Sequence, residues 1–165
     1  MSRWIGIDLG ERRIGLAVAD DVGSHARPMA TIPRGRTLEA DLAAIGQVVR
    51  SEGIGVLVVG LPLEASGASG PQAELTRAWA ESVASGLGLP LVLRDERLTS
   101  HLAEERLGPM KRGRSGGPPS RTQRNAYRAR VDREAAAIIL QDELDARTRV
   151  PYEGPGTDDP TETSA

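Results

Sequence analysis

The sequence predicts an α/β domain of three layers built on a mixed sheet. Three observations carry that prediction. Two short runs near the N-terminus alternate large apolar residues with small ones at a period of two, the pattern of half-buried strands. Beyond residue 37, stretches with helical spacing alternate with short continuous apolar runs, an order that lays helices against a sheet. A last helical stretch, rich in alanine and isoleucine, then closes the domain.

Residues 3–9 read as the first strand, with Ile5, Ile7 and Leu9 on one face and Trp4, Gly6 and Asp8 on the other. Gly10-Glu11-Arg12 supplies a short turn into a second strand, Arg13 to Ala19. There Ile14, Leu16 and Val18 alternate with Gly15, Ala17 and Ala19, a small-residue face suited to close helix packing. A third strand is expected between Ala26 and Ile32. Thr37 is expected to cap a helix with the stripe Leu38, Leu42, Ile45 and Val49, stopped near Gly53. Val56 to Val59 reads as a strand buried on both faces. A polar loop, Pro62 to Gly70, leads to a helix with Pro71 in its first turn and Leu75, Trp79 and Val83 along its apolar side. Leu91 to Leu93 reads as another buried strand, and Thr99 as the cap of a short helix ending at Leu107-Gly108-Pro109.

The stretch 108–128 has no hydrophobic period and is broken by Gly113, Gly116, Gly117, Pro118 and Pro119. It reads as a basic arm, mobile until substrate arrives. The last helix is expected from near Ala126 to Ala146. Residues 1–149 then form one domain, and residues 150–165 a disordered acidic tail.

At 165 residues the chain is long enough to bury a core without staples. It has no cysteine, which excludes disulfides and thiolate metal sites. No apolar run is long enough to span a bilayer, and the first strand leaves no room for a signal peptide, so a cytoplasmic location is expected. The net charge of −2 hides an uneven distribution. Between Lys111 and Arg133 there are eight cations and one acid, Asp132. With four aromatic residues and no phenylalanine, a stacking platform for unpaired bases is not expected.

Three acids stand at the expected ends of elements: Asp8 closing the first strand, Glu96 after the Leu91 strand, and Asp132 opening the last helix. Carboxylates of this kind suit Mg²⁺ or Mn²⁺, which take hard oxygen ligands. Arg12, Lys111, Arg112, Arg114, Arg121, Arg124 and Arg128 are candidate phosphate contacts. Asp20, at the end of the second strand, is a candidate for ordering the metal ligands from behind. Acids for metal beside cations for phosphate are the two halves of a metal-dependent nuclease.

Five segments in register sharpen this. Gly6-Ile7-Asp8-Leu9-Gly10, Arg13-Ile14-Gly15-Leu16-Ala17-Val18-Ala19-Asp20, Val58-Val59-Gly60-Leu61-Pro62-Leu63, Asp95-Glu96-Arg97-Leu98-Thr99 and Val131-Asp132 with Ile138-Ile139-Leu140-Gln141 resemble the YqgF/RuvX family. The resemblance runs from about Trp4 to Asp145. It implies an RNase H-like fold, a five-stranded mixed sheet with helices on both faces, and Asp8, Glu96 and Asp132 as the metal-binding acids. The family is described both as Holliday-junction resolvases and as nucleases that mature the 5′ end of pre-16S ribosomal RNA. Branched DNA and precursor rRNA are therefore the expected partners, with a homodimer on substrate if the role is junction resolution. Two segments depart from the family pattern. Glu64 and Ser66 stand where the family carries Asn and then Asp, and the 107–132 arm is longer and richer in Gly, Pro and Arg.

Two other classes fit parts of the chain. A nucleic-acid or ribosome-binding module without catalysis would share the cations but would not need the three acids. Gly6-Ile7-Asp8-Leu9-Gly10 also resembles the phosphate hairpin of the actin, sugar-kinase and Hsp70 phosphotransferases. That class closes two such lobes on ATP, and this chain has residues for one.

Overall fold

The computed structural model describes residues 2–149; the expected acidic tail, 150–165, lies outside the described residues. Strands β1 (Arg3–Leu9), β2 (Arg13–Ala19) and β3 (Arg27–Pro33) form an antiparallel meander. Helix α1 (Leu38–Glu52) leads to β4 (Ile54–Leu61), which pairs parallel with β1. Helix α2 (Pro71–Leu87) leads to β5 (Leu91–Asp95), parallel with β4. The strand order is β3-β2-β1-β4-β5, so β1 lies at the centre. Helices α3 (Thr99–Leu107) and α4 (Arg121–Thr148) complete the domain.

The period-two pattern of β1 and β2 sorts the two faces. Ile5, Ile7, Leu9, Ile14, Leu16 and Val18 pack beneath α1 and α2 with Ile45, Trp79 and Val83. Trp4, Ala17, Ala19 and Val58 face α4 at Ala136, Ile139, Leu140 and Leu144. Helix α3 rests on α4 through Ala103, Val131, Ala135 and Ile138. On the first face, the Trp79 indole donates to buried Asp41 at 3.0 Å, tying α2 to α1.

Several local expectations hold. The Thr37 hydroxyl accepts from the Ala40 amide, and Gly53 ends α1 in the left-handed conformation. Pro71 occupies the first turn of α2. Others need correction. Leu75 is 66% exposed, because the buried side of α2 is made by Ala73, Thr76, Trp79, Ala80 and Val83. Leu38, at the start of α1, is also on the exposed side, at 39%. Strand β5 is partly rather than fully buried, as befits an edge of the sheet. Thr99 is the first residue of α3 and not its cap; its hydroxyl donates back to the Glu96 carbonyl.

The largest correction concerns the arm. Helix α4 begins at Arg121, five residues before the expected start, where Ser120 and Gln123 form a reciprocal capping box. The second half of the supposed arm is therefore helix, and Asp132 lies well inside α4 rather than at its opening.

Candidate active site and nucleic-acid interface

Each of the three acids is brought to the same region by the sheet and by a residue lacking a side chain. Asp8 stands near the C-terminal end of the central strand and is buried, opposite Gly15 on β2. A Cβ at Gly15 would stand 2.1 Å from the Asp132 carbonyl oxygen, so glycine there lets α4 lie directly on β2. That close approach sets Asp132 beside Asp8. On the other side, a Cβ at Gly60 of β4 would stand 2.7 Å from Glu96 Oε2, so Glu96 folds over the bare backbone of Gly60.

The Glu96 backbone is held from both directions. Its amide donates to the Leu61 carbonyl at 3.0 Å, and its own carbonyl accepts from the Thr99 amide and hydroxyl. Leu98 closes this turn with a positive φ of 69°. Arg97 does not pair with Glu96. It grips Asp95 at 2.7 Å and donates to the Ala65 carbonyl, anchoring the loop after β4.

The Asp8 and Glu96 carboxyls are close, largely buried neighbours, and each bears on the other's ionisation. Asp8 is raised to about 6, mostly by burial, with the neighbouring Glu96 opposing the rise and the Asp132 charge adding to it. Glu96 is raised to about 9, mostly by burial, with the neighbouring Asp8 and Asp95 contributing to the rise. Both carboxyls are thus held above the ordinary carboxylate range, and the two titrate as a coupled pair.

Asp132 is turned to a different partner. The Arg13 Nε–H donates to its Oδ2 at 2.8 Å, in a partly buried ion pair. Among the described residues, no three Asp, Glu or His side chains stand in ion-coordinating positions.

Next to Asp132 opens a cleft of about 590 Å³, lined by Gly10, Glu11, Arg12, Arg13, Arg121, Arg124, Asn125, Arg128 and Asp132. The spacing of Arg121, Arg124, Arg128 and Asp132 (i, i+3, i+7, i+11) places all four along one face of α4. Arg12, in the β1–β2 turn, and Arg13, the first residue of β2, come from across the cleft. That turn is braced by Arg34, whose guanidinium donates to the Gly10 carbonyl and whose amide donates to the Arg12 carbonyl.

Four of the seven candidate phosphate-binding cations thus converge: Arg12, Arg121, Arg124 and Arg128. Lys111, Arg112 and Arg114 do not line this cleft. Arg112 instead donates to the Gly116 carbonyl within the segment before α4. Asp20 is also misplaced as a support for the acids. It lies beyond Ala19, which pairs with Trp4 at the opposite end of β1 from Asp8, and it is held by Arg3 and Arg27 at the surface. Arg13 belongs to the site without being evident from sequence, where it reads only as the first residue of a strand.

The structure of T. thermophilus RuvC in complex with Holliday junction substrate is similar with a TM-score of 0.50, over 89% of this chain and 96% of that one, at 17% identity. At that identity the likeness speaks to the fold, and the fold is RNase H-like. The sequence matches the family described as "RuvX: Holliday junction resolvase" across residues 2–146. A protein of Anaeromyxobacter sp. (strain Fw109-5), named "Putative pre-16S rRNA nuclease", is 48% identical over 145 residues, covering 88% of this chain and 98% of its own. A protein of the same name from Symbiobacterium thermophilum is 42% identical over 148 residues, covering 90% and 95%. The chain belongs to the RuvX family, and its class of activity is that of a nuclease, a hydrolase acting on nucleic acid. Among the described residues no helix is long and apolar enough to cross a membrane.

Proposed function

We propose that this chain is a metal-dependent endonuclease of structured nucleic acid, with Asp8, Glu96 and Asp132 as its metal-binding acids. The observation that carries this is the placement of buried Asp8, with Glu96 folded over Gly60 and Asp132 on α4, beside a cleft of arginines. Two carboxyls held this close in a buried place are poorly satisfied without a cation. Their hard oxygens fit Mg²⁺ or Mn²⁺. Asp132 completes the donor set in kind, since its charge already reaches Asp8.

When bound, the cation supplies positive charge at the scissile phosphate and lowers the cost of ionising a water there. The rest falls to the chain. Arg121, Arg124 and Arg128 on α4, with Arg12 across the cleft, hold successive phosphates and bring one bond to the acids. Burial of Asp8 keeps bulk water from competing for its oxygens.

The cleft presents guanidinium groups and no aromatic ring, which favours a backbone-reading grip on duplex or branched nucleic acid. Both a four-way DNA junction and the 5′ leader of pre-16S rRNA meet that description. Offering purified protein and Mn²⁺ a four-way junction, a linear duplex and a leader RNA side by side separates them. Paired symmetric nicks confined to the junction support a resolvase acting as a two-fold dimer on substrate. Cleavage confined to the leader supports rRNA processing. Absence of cleavage on all three, with tight binding retained, would overturn the catalytic reading in favour of a binding module.

A further inference from the structure

Arg13 occupies a position that neither the acids nor the phosphate cleft accounts for alone. Its guanidinium lines the arginine cleft, and it also lines a second cleft of about 270 Å³ that shares Arg128 and Asp132 with the first. It is the one cleft arginine whose side chain is ion-paired to a proposed metal ligand, at 2.8 Å from Asp132 Oδ2. In this arrangement Asp132 faces Arg13, while Asp8 is buried opposite Gly15 and Glu96 folds over Gly60. The metal-binding acids and the phosphate site are thus joined through one bond.

We infer that Arg13 is a positioning residue that couples substrate binding to assembly of the metal site: it holds Asp132 aside until a substrate phosphate draws its guanidinium away. The inference rests on the metal-site reading above. The chemistry is an exchange of partners in which no covalent bond changes. A phosphate oxygen and a carboxylate compete for the same N–H donors, and phosphate accepts charge-assisted bonds from arginine as readily as Asp132 does. Once released, the Asp132 carboxylate is unpaired in a partly buried place, where a divalent cation is its best available partner.

Coupling of this kind is reciprocal: whatever occupies the phosphate cleft raises affinity for the cation, and the cation raises affinity for nucleic acid. The bond also has the right strength to act this way. A partly exposed ion pair is worth little net free energy, so an incoming phosphate can break it. The backbone does not have to move, because Gly15 and the Arg34 brace fix both partners' main chains.

The test is Mn²⁺ binding by calorimetry without nucleic acid, so that no turnover is involved. Arg13→Gln should bind Mn²⁺ about threefold to fivefold tighter than the parent, since Asp132 is free from the start. Asp8→Asn should bind it much more weakly than the parent. If Asp8→Asn weakens binding but Arg13→Gln does not strengthen it, the coupling is wrong and the metal site stands. If Asp8→Asn leaves Mn²⁺ binding at the parental level, both readings fail.

A second measurement approaches the same bond from the Asp132 side, with each protein's fold checked by its melting temperature. In EDTA, Asp132→Asn should raise affinity for a four-way DNA junction by freeing Arg13, and this gain should disappear in the Arg13→Gln background. An equal gain in both backgrounds would mean that simple loss of negative charge explains the effect, and would overturn the role given to Arg13.

Discussion

The two faces of the sheet are built from opposite materials. Beneath α1 and α2 lie Ile5, Ile7, Ile14, Leu16 and Val59, all fully buried, and the layers are held apart by side-chain bulk. Beneath α4 the same strands present Gly15, Ala17, Ala19 and Gly60, and the helix backbone comes down onto the sheet. The first face stabilises the domain. The second gives up hydrophobic area, and in return sets carboxylates from β1, α4 and the end of β5 near one another. Small residues here are a device for bringing functional groups close, and the large-residue face supplies the stability that this device costs.

Substitutions on the two faces should therefore separate stability from activity. The largest effect is expected at Gly15. A methyl group there meets the Asp132 carbonyl, so Gly15→Ala must lift α4 and carry Asp132 and the arginine stripe away from Asp8. Cleavage per folded molecule should fall by orders of magnitude. Leu16→Ala, one residue along on the other face, should cost about 2–5 kcal/mol of stability by leaving a cavity, yet keep cleavage per folded molecule near the parent's. Urea unfolding and cleavage rates measured on the same samples check the pair, and equal loss of activity in both would erase the distinction.

The next effect concerns the basic segment, where the same contrast recurs between its helical and non-helical halves. Replacing Arg121, Arg124 and Arg128 together by Gln should weaken nucleic-acid binding and flatten the salt dependence by a slope of roughly three, about one for each phosphate no longer neutralised. Replacing Lys111, Arg112 and Arg114 should change the slope less, because these residues do not line the cleft. A larger change from the second triple would return the arm to the role expected of it from sequence.

The helical half of that segment is hidden in the sequence for a physical reason. Strands β1 and β2 and helix α1 are legible because each buries a face, and burial writes a period into the sequence. The first two turns of α4 bury almost nothing; they carry Arg121, Arg124 and Arg128 toward a cleft, and arginines at helical spacing leave no apolar period. The readable signal is Ser120-Arg121-Thr122-Gln123, a capping box masked by the glycines and prolines just before it. Of the three acids, Asp8 and Glu96 do stand at or near element ends, whereas Asp132 sits inside α4, so the family pattern and not its place in an element singles it out. Asp20 looks nearer to them than it is, because a position at a strand end says nothing about which end of the sheet it occupies. Arg13 is silent in the sequence because its part depends on a partner 119 residues away.

The smallest effect is on stability against pH. Asp8 is raised to about 6 and Glu96 to about 9, so between the unfolded values near 4 and these folded ones the native state binds more protons than the unfolded chain. Without metal, stability should therefore be highest at acid pH and fall as pH rises through that window. Glu96→Gln removes the larger part of the burden. Its melting temperature at pH 8 in EDTA should exceed the parent's by something on the order of 2–4 °C, and the difference should vanish near pH 4. A lower melting temperature for the variant at pH 8 would contradict the strained pair and, with it, the contrast between the stabilising and the functional face.

The central proposal is that Asp8, Glu96 and Asp132 act together on the phosphodiester bond. The most direct test is cleavage with Mn²⁺ of whichever substrate the parent cuts, using Asp8→Asn, Glu96→Gln and Asp132→Asn, with binding measured alongside. Each amide variant should lose cleavage by orders of magnitude while still binding the nucleic acid. Variants that bind and cut at the parental rate would contradict the shared role of the three acids.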